Sequence, residues 1–477
     1  MTHKGSFKLQ SSSHRQDNYL SRRIVSTVLG VTLLLTAGQV YRAVISFEQQ
    51  QLIPRASEIF ASSKYQPIQP GDSFQLAQED FTRIDSQARH LNYSGSSVTE
   101  LAAILAQNAS SDSEKARIIY AWITHHVIYD VAAFNEAISH NKYPEVTPTK
   151  VLRDRRTICS GYSNLYQALA EAMGLDAAII IGYARGATPP DDLRFQDINH
   201  AWNSINIDGS WYLLDATFGA GSIQAGKFVA NYNPHYFATP PQQFFNLHYP
   251  QDSGWQLLTT EQTRAEFDLQ PKITAGFHNL GFKTVSHQQS PITTSDRLKI
   301  ELEVPENIIA IADLQQNGEE IAGNRVLINR QGTKVAIDVA PPGSGTYELT
   351  IYARNKDDSP SNQYDEVIQY RVEATHATAE LPKIYGHFYE HQASLIEPLA
   401  GDLLPNWSTY FNLLVPDATD VLVINTNTQE STALNGYGSY FTGNVEIEAG
   451  TTAIAAKFPG SENYWQLVEY QTDNSQL

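Results

Sequence analysis

The chain has 477 residues, of which 42% are hydrophobic and 18% charged, a globular composition too long for one ordinary core. Its 33 basic and 51 acidic residues leave a net charge of −18, which argues against nucleic acid or an anionic membrane as the main partner of the folded part. The single cysteine, Cys159, excludes an intramolecular disulfide and a cysteine-rich structural zinc site. Taken by itself, a lone cysteine reads as an inert buried thiol; the surroundings of this one reverse that reading.

In chain order, residues 1–23 form a basic head with Lys4, Lys8, Arg15, Arg22 and Arg23 against one acid, Asp17. An apolar run follows from Ile24 to Val40 and stops at Arg42. A basic flank before an apolar stretch is the pattern of a signal peptide or signal anchor, with the basic side cytoplasmic. Residues 24–45 are therefore expected to meet the membrane and to place all that follows outside the cytoplasm. Residues 46–80, with Gln, Ser and Pro, read as a linker.

From residue 81 the pattern is helical. Ser111 and Glu114 have capping-box spacing, and Ile119, Trp122, Ile123 and Val127 recur at three- and four-residue intervals, which predicts a helix over 113–128. A second helix is predicted over 158–173, with Gly174 as its C-terminal stop. Ala177–Tyr183, Ala201–Ile207 and Trp211–Thr217 read as strands, the last two joined by the Asp208-Gly209 hairpin turn. Helices followed by an antiparallel sheet make an α+β domain.

A thiol hydrolase or acyltransferase needs a nucleophile, a histidine to shuttle its proton and a polar group to orient that histidine. Cys159 falls at the predicted start of a helix, where unpaired N–H groups favour negative charge. His200 opens one strand and Asp215 lies on the next, across the turn, so the pair can share a face.

The blocks Cys159-Ser160-Gly161-Tyr162, Asn199-His200-Ala201-Trp202 and Leu214-Asp215-Ala216-Thr217-Phe218-Gly219 resemble the transglutaminase-like superfamily of papain-like thiol enzymes. Upstream, Ala121-Trp122-Ile123, Tyr129-Asp130, Thr147-Pro148 and Val151-Leu152 look like the approach to its nucleophile. Downstream, His235-Tyr236-Phe237, Pro240, Phe244-Phe245 and Gly254-Trp255-Gln256-Leu257-Leu258 are similar to the branch that contains kyphoscoliosis peptidase. The resemblance covers residues 98–260 and implies that Cys159, His200 and Asp215 are nucleophile, base and orienting acid. Two positions depart from it: Thr157 stands where glycine is frequent before the nucleophile, and Phe218 where tryptophan is common. Trp202 and Tyr162 are candidate substrate contacts. No motif for a metal or other cofactor is present: there is no HExxH, EF-hand or phosphate-binding glycine loop.

After residue 290 the texture changes to short alternating strands with Gly, Pro and Asn turns, as in Leu298–Val304, Lys334–Val339 and Tyr347–Tyr352. Val304-Pro305-Glu306 recurs as Val415-Pro416-Asp417, and Tyr347–Tyr352 is echoed by Trp465–Tyr470. The expected organisation is a papain-like transglutaminase core over 81–285 and two β-sandwich, Ig-like domains over 290–376 and 380–477. Hydrolysis of protein or peptide amides, including cell-wall peptide, is the expected activity. Amine transfer, as in a protein-crosslinking transglutaminase, is the alternative within the same chemistry, and a non-enzymatic scaffold the alternative from another class.

Overall fold

The computed structural model describes residues 76, 79–140, 142–186, 198–357 and 364–472, with two-residue strands at 3–4 and 9–10. The segment read as signal or anchor, 24–45, lies outside these residues, as does nearly all of the linker. Among the described residues no helix is long and apolar enough to cross a membrane. The chain divides into two compact units, Ser26–Ala275 and Gly276–Leu477 with Met1–Val25.

The first unit opens with helices α1 (Thr82–His90), α2 (Val98–Ala106) and α3 (Asp112–His126). The capping box expected at Ser111 is half formed. Ser111 Oγ accepts the Glu114 N–H at 3.2 Å, but the Glu114 carboxylate accepts from Ser110 N–H and Oγ–H, one residue earlier than a box requires, and pairs with Arg83 of α1. Every residue of α3 from Ala116 to Thr124 is buried, the mark of a helix enclosed on all sides. Its one buried charge, Arg117, donates to both Asp85 oxygens of α1 at 2.7 Å each and to the Tyr232 hydroxyl at 2.7 Å. Removing one member of a buried pair leaves the other unmatched. Arg117→Met is therefore expected to cost about 3 kcal/mol in urea unfolding, the low end of such losses because Asp85 keeps some water. The double variant with Asp85→Asn should cost less than the two single losses summed.

Helices α4 (Val131–His140) and α5 (Pro148–Asp154) lead to α6 (Cys159–Ala172). Just before α6, the short strands β1 (Ile128–Tyr129) and β2 (Arg156–Thr157) pair in parallel and fix where the helix begins. Met173 and Gly174, the latter at φ 80°, end α6 where the sequence places its stop.

The sheet follows: β3 (Ala177–Ala184), β4 (His200–Ile207), β5 (Ser210–Leu214), the turn helix α7 (Ala216–Ala220), the hairpin β6 (Gly221–Gln224) and β7 (Lys227–Ala230), β8 (Phe237–Thr239), helix α8 (Pro241–Phe244) and β9 (His248–Pro250). The order is β8–β5–β4–β3–β9, antiparallel throughout. Asp208 and Gly209 both have positive φ, 53° and 89°, which closes the two-residue hairpin between β4 and β5. The strand expected over Trp211–Thr217 is shorter: it ends at Leu214, and Asp215 caps α7 instead of continuing the strand. The Asn203 amide of β4 donates to the Ser163 carbonyl of α6 at 3.1 Å and ties helix to sheet.

The second unit holds two β-sandwiches of matching topology. In the first, 365–374, 345–355, 308–316 and 319–320 form one sheet and 298–303, 334–339 and 326–331 the other. In the second, the corresponding orders are 464–472, 452–457, 420–425, 430–433 and 408–414, 440–446, 435–437. Val304 and Val415, both buried, directly follow equivalent strands. The echo between Tyr347–Tyr352 and Trp465–Tyr470 is out of step by one strand: the equivalent of 345–355 is 452–457, and 464–472 matches 365–374. Alternating aromatic strands of one sheet look alike in sequence, so similarity alone does not fix which strand is which.

Candidate active site

Cys159 is the first residue of α6, and its N-cap, Ile158, is extended and offers no side-chain cap. The Gly161 and Tyr162 N–H groups turn back to the Ile158 carbonyl at 2.9 and 3.2 Å. No side chain thus competes for the positive end of the helix beside the thiol. Gly161 is required here: a Cβ on it would lie 1.9 Å from Thr157 Oγ1. Thr157 fills the room that Gly161 leaves, which is how a residue larger than glycine is accommodated before the nucleophile position.

His200 opens β4 and pairs with Gly182 across the ladder. Asn199 fixes its entry. The Asn199 side chain accepts from the Ala184 N–H at 2.7 Å and donates to the Ala184 carbonyl at 3.0 Å. It continues the β3–β4 ladder with a side-chain amide where backbone pairing stops. Asp215 uses its two oxygens differently. Oδ1 accepts the Thr217 and Phe218 N–H groups at 2.8 and 3.1 Å, capping α7. Oδ2 accepts from His200 Nε2 at 2.7 Å. Gly219 lets α7 sit this close, since a Cβ there would meet the Tyr120 hydroxyl at 2.0 Å.

With His200 Nε2 committed to Asp215, Nδ1 is the nitrogen left for Cys159. Burial opposes a charge on His200, but the Asp215 carboxylate, through charge and hydrogen bond, and then the Cys159 thiol outweigh it and raise the His200 pKa to about 10. Asp215 is also wholly buried, which alone pushes its pKa up; His200 and a hydrogen bond from His248 overcome this and hold it well below the carboxylate range. Cys159, His200 and Asp215, far apart in sequence, are thereby brought together.

The signs of these shifts give a stability test. The stabilisation from charged His200 is complete below the ordinary imidazole pKa and lost as pH rises through about 10. That of Asp215 is complete above the ordinary carboxylate pKa and lost as pH falls below it. The urea stability difference between wild type and His200→Gln should therefore be constant from pH 5 to 6 and shrink steadily from about pH 6.5 to about 10.

His248 is the site residue that sequence reasoning missed. Its Nε2 donates to the same Asp215 Oδ2 at 2.9 Å. It stands on β9, two strands from β4 in the sheet, and no spacing rule links it to the three blocks. The signal available was a polar ring between the apolar stretches Phe244-Phe245 and Tyr249-Pro250.

Trp202 and Tyr162, expected to contact substrate, do not stand as substrate surfaces. The Tyr162 hydroxyl donates to the Val127 carbonyl at 2.7 Å inside the core. Trp202 is enclosed by His200, Phe244 and His248, with ring centroids at 6.1, 6.1 and 5.1 Å. Both lie in stretches enclosed on every side, residues 159–163 of α6 and 200–205 of β4, so no alternation in the sequence marks which of these residues could face a substrate. As for metals, His200, Asp215 and His248 offer three ligand atoms within 4.8 Å of one another. Both ring nitrogens instead point at a single carboxylate oxygen at N–H···O distance. A cation at bond lengths of about 2.0–2.2 Å would have to break both bonds.

Comparison with known proteins shows which families the two parts of the chain are similar to. The transglutaminase-like superfamily model matches residues 99–216, and the model of the KY-like, immunoglobulin-like domain matches 264–385. The chain is 29% identical over 307 residues to kyphoscoliosis peptidase of Mus musculus, covering 63% of this chain and 44% of that protein. It is 28% identical over 336 residues to kyphoscoliosis peptidase of Homo sapiens, covering 68% and 49%. Hillarin of Drosophila melanogaster is 26% identical over 284 residues, covering 54% and 34%. The chain spans less than half the length of these relatives. Residues 99–216 are thus similar to the transglutaminase-like superfamily, and residues 264–385 to the KY-like, immunoglobulin-like domain.

Proposed function

We propose that residues 99–216, with the strands after them, act as a thiol-dependent acyl-transfer enzyme on protein or peptide amides, with water as the final acceptor. One observation carries this reading: His200 has one ring nitrogen held by a buried carboxylate and the other left for a thiol at an uncapped helix start. In this scheme Cys159 attacks the amide carbonyl as the thiolate, and the open N–H groups of α6 face the developing oxyanion. His200 then gives its proton to the leaving amine, and a thioester remains. Water, deprotonated by His200, attacks the thioester carbon, and Cys159 leaves as the thiolate while His200 keeps the proton. An amine in place of water makes the same site a transglutaminase. Water is the default, since transfer requires a pocket that binds an amine and excludes water.

The scaffold reading draws on a specific observation as well. Cys159, His200 and Asp215 are exposed by only 1%, 2% and 0%, so a substrate must first open the site. Turnover of a peptide, of a glutamine donor with an amine, and of a cell-wall peptide, each by wild type and Cys159→Ala, separates these readings. Cysteine-dependent turnover of the first or third supports hydrolysis, and of the second transfer. No cysteine-dependent turnover, with Cys159 alkylation indifferent to His200→Ala, supports the scaffold.

A further inference from the structure

We propose that His248 is a positioning residue of this site, acting through Asp215: it clamps the shared carboxylate oxygen so that the carboxylate stays turned toward His200. The inference rests on the thiol reading above and deepens it. Asp215 is sealed from solvent and accepts four hydrogen bonds, two backbone N–H groups on Oδ1 and two imidazole N–H groups on Oδ2. A buried carboxylate with one oxygen singly bonded would leave a lone pair unmatched and its rotation poorly fixed. His248 supplies the missing donor.

The surroundings of His248 are built for that bond. Its ring stacks on Phe244 at 4.0 Å and 21° and is flanked by Trp202 at 5.1 Å and Phe218 at 5.0 Å. An imidazole boxed by aromatic rings is costly to bury unless its N–H is spent on a strong acceptor. The strand that carries it reaches β3 only because residue 182 is glycine: a Cβ there would lie 2.2 Å from the Tyr249 carbonyl oxygen, 2.6 Å from Trp202 and 2.8 Å from Pro250 Cα.

Charge accounting assigns the proton. Asp215 and His200 are the charged groups against His248. Burial lowers the His248 pKa, the Asp215 carboxylate pulls it back up, and the His200 charge lowers it further, with a net fall. The Asp215 oxygen can only accept, so His248 carries a proton on Nε2. Its Nδ1 stands 3.3 Å from the Phe244 carbonyl oxygen. Two donors on one oxygen also reduce its basicity, so the proton that His200 receives from Cys159 stays on His200 and does not pass to Asp215.

The test compares full-length wild type, His248→Phe and His248→Gln. Phenylalanine keeps ring volume and removes the donor; the Gln side-chain nitrogen reaches where Nε2 was. The readouts are the iodoacetamide alkylation rate of Cys159 against pH, quantified by mass spectrometry, and the imidazole N–H resonances by NMR. Wild type should show two downfield Nε2 protons and faster alkylation near neutral pH than His200→Ala. His248→Phe should lose one resonance and most of the enhancement, about 10–100-fold, the span of one hydrogen bond to a charged group. His248→Gln should stay within a few-fold of wild type. A folded His248→Phe with the wild-type pH profile overturns the role of His248, whereas a wild type indifferent to His200→Ala overturns the thiol reading beneath it. If His248→Phe does not fold, His248→Asn and His248→Gln decide: the shorter Asn places its nitrogen at the Nδ1 position. Equal alkylation by the two would show that packing alone matters and overturn the proposal.

Discussion

Cys159→Ala is expected to bring turnover to background, a loss on the order of 10⁶-fold in kcat for a nucleophile that works as part of a unit. His200→Ala should come close to the same loss, and the double variant should be little worse than either, because neither partner has a task without the other. Steady-state assays on whichever amide substrate turns over measure this; a double variant far worse than both singles would show two independent contributions and break the scheme. Alkylation adds a substrate-free readout. Cys159 is buried, so its absolute rate includes the opening of the site and does not by itself separate an activated thiol from an inert one. Removing His200 leaves buried Asp215 short of a partner and eases opening, so faster alkylation of wild type than of His200→Ala near neutral pH reports what the imidazole does. A ratio of these rates near one would show no activated pair.

How much of this site was legible in the sequence follows from what each residue depends on. Cys159, His200 and Asp215 sit at element boundaries: a helix start, a strand start and the end of the next strand. Boundaries leave local marks, such as Gly161 after the nucleophile and the Asp208-Gly209 turn that sets the β4–β5 register. The helix at 159–172 and the hairpin are local consequences of periodicity and turn chemistry, and they appear close to where the sequence puts them. Asp215 looked like a strand residue because its neighbours are apolar, yet its side chain accepts two backbone N–H groups and turns the chain. His248 depends on a non-local event, the addition of β9 to the β3 edge, and no residue near it in sequence announces its partner. The same limit misaligned the sandwich repeat, where strand identity is fixed by pairing and not by composition. The burial of Trp202 under Phe244 and His248, and of Tyr162 against the Val127 carbonyl, was likewise a property of non-local packing that proximity in sequence to the reactive residues obscured.

The division of labour between the two Asp215 oxygens makes Asp215→Asn more damaging to activity than Asp215→Ala, although it should be the milder change for stability. The Thr217 and Phe218 N–H groups need an acceptor, so the Asn amide oxygen takes the Oδ1 place and its NH₂ takes that of Oδ2. That NH₂ then faces two imidazole nitrogens that had been donors. His200 can meet it only by presenting a bare Nε2, which moves its proton to Nδ1, on the side of Cys159. An imidazole protonated there cannot receive the thiol proton, and kcat should fall about 10⁴-fold with KM within a few-fold. Asp215→Ala removes the cap of α7, a loss of about 0.5–2 kcal/mol, and leaves the two histidines without an acceptor, so it should unfold at lower urea. It imposes no wrong tautomer, however: His200 remains free to adopt the productive one part of the time and should retain measurable turnover above that of Asp215→Asn. Kinetics of both variants, with imidazole NMR to assign the His200 tautomer, check this. An Asp215→Asn enzyme as active as wild type would mean that Oδ2 neither orients His200 nor stabilises its charge.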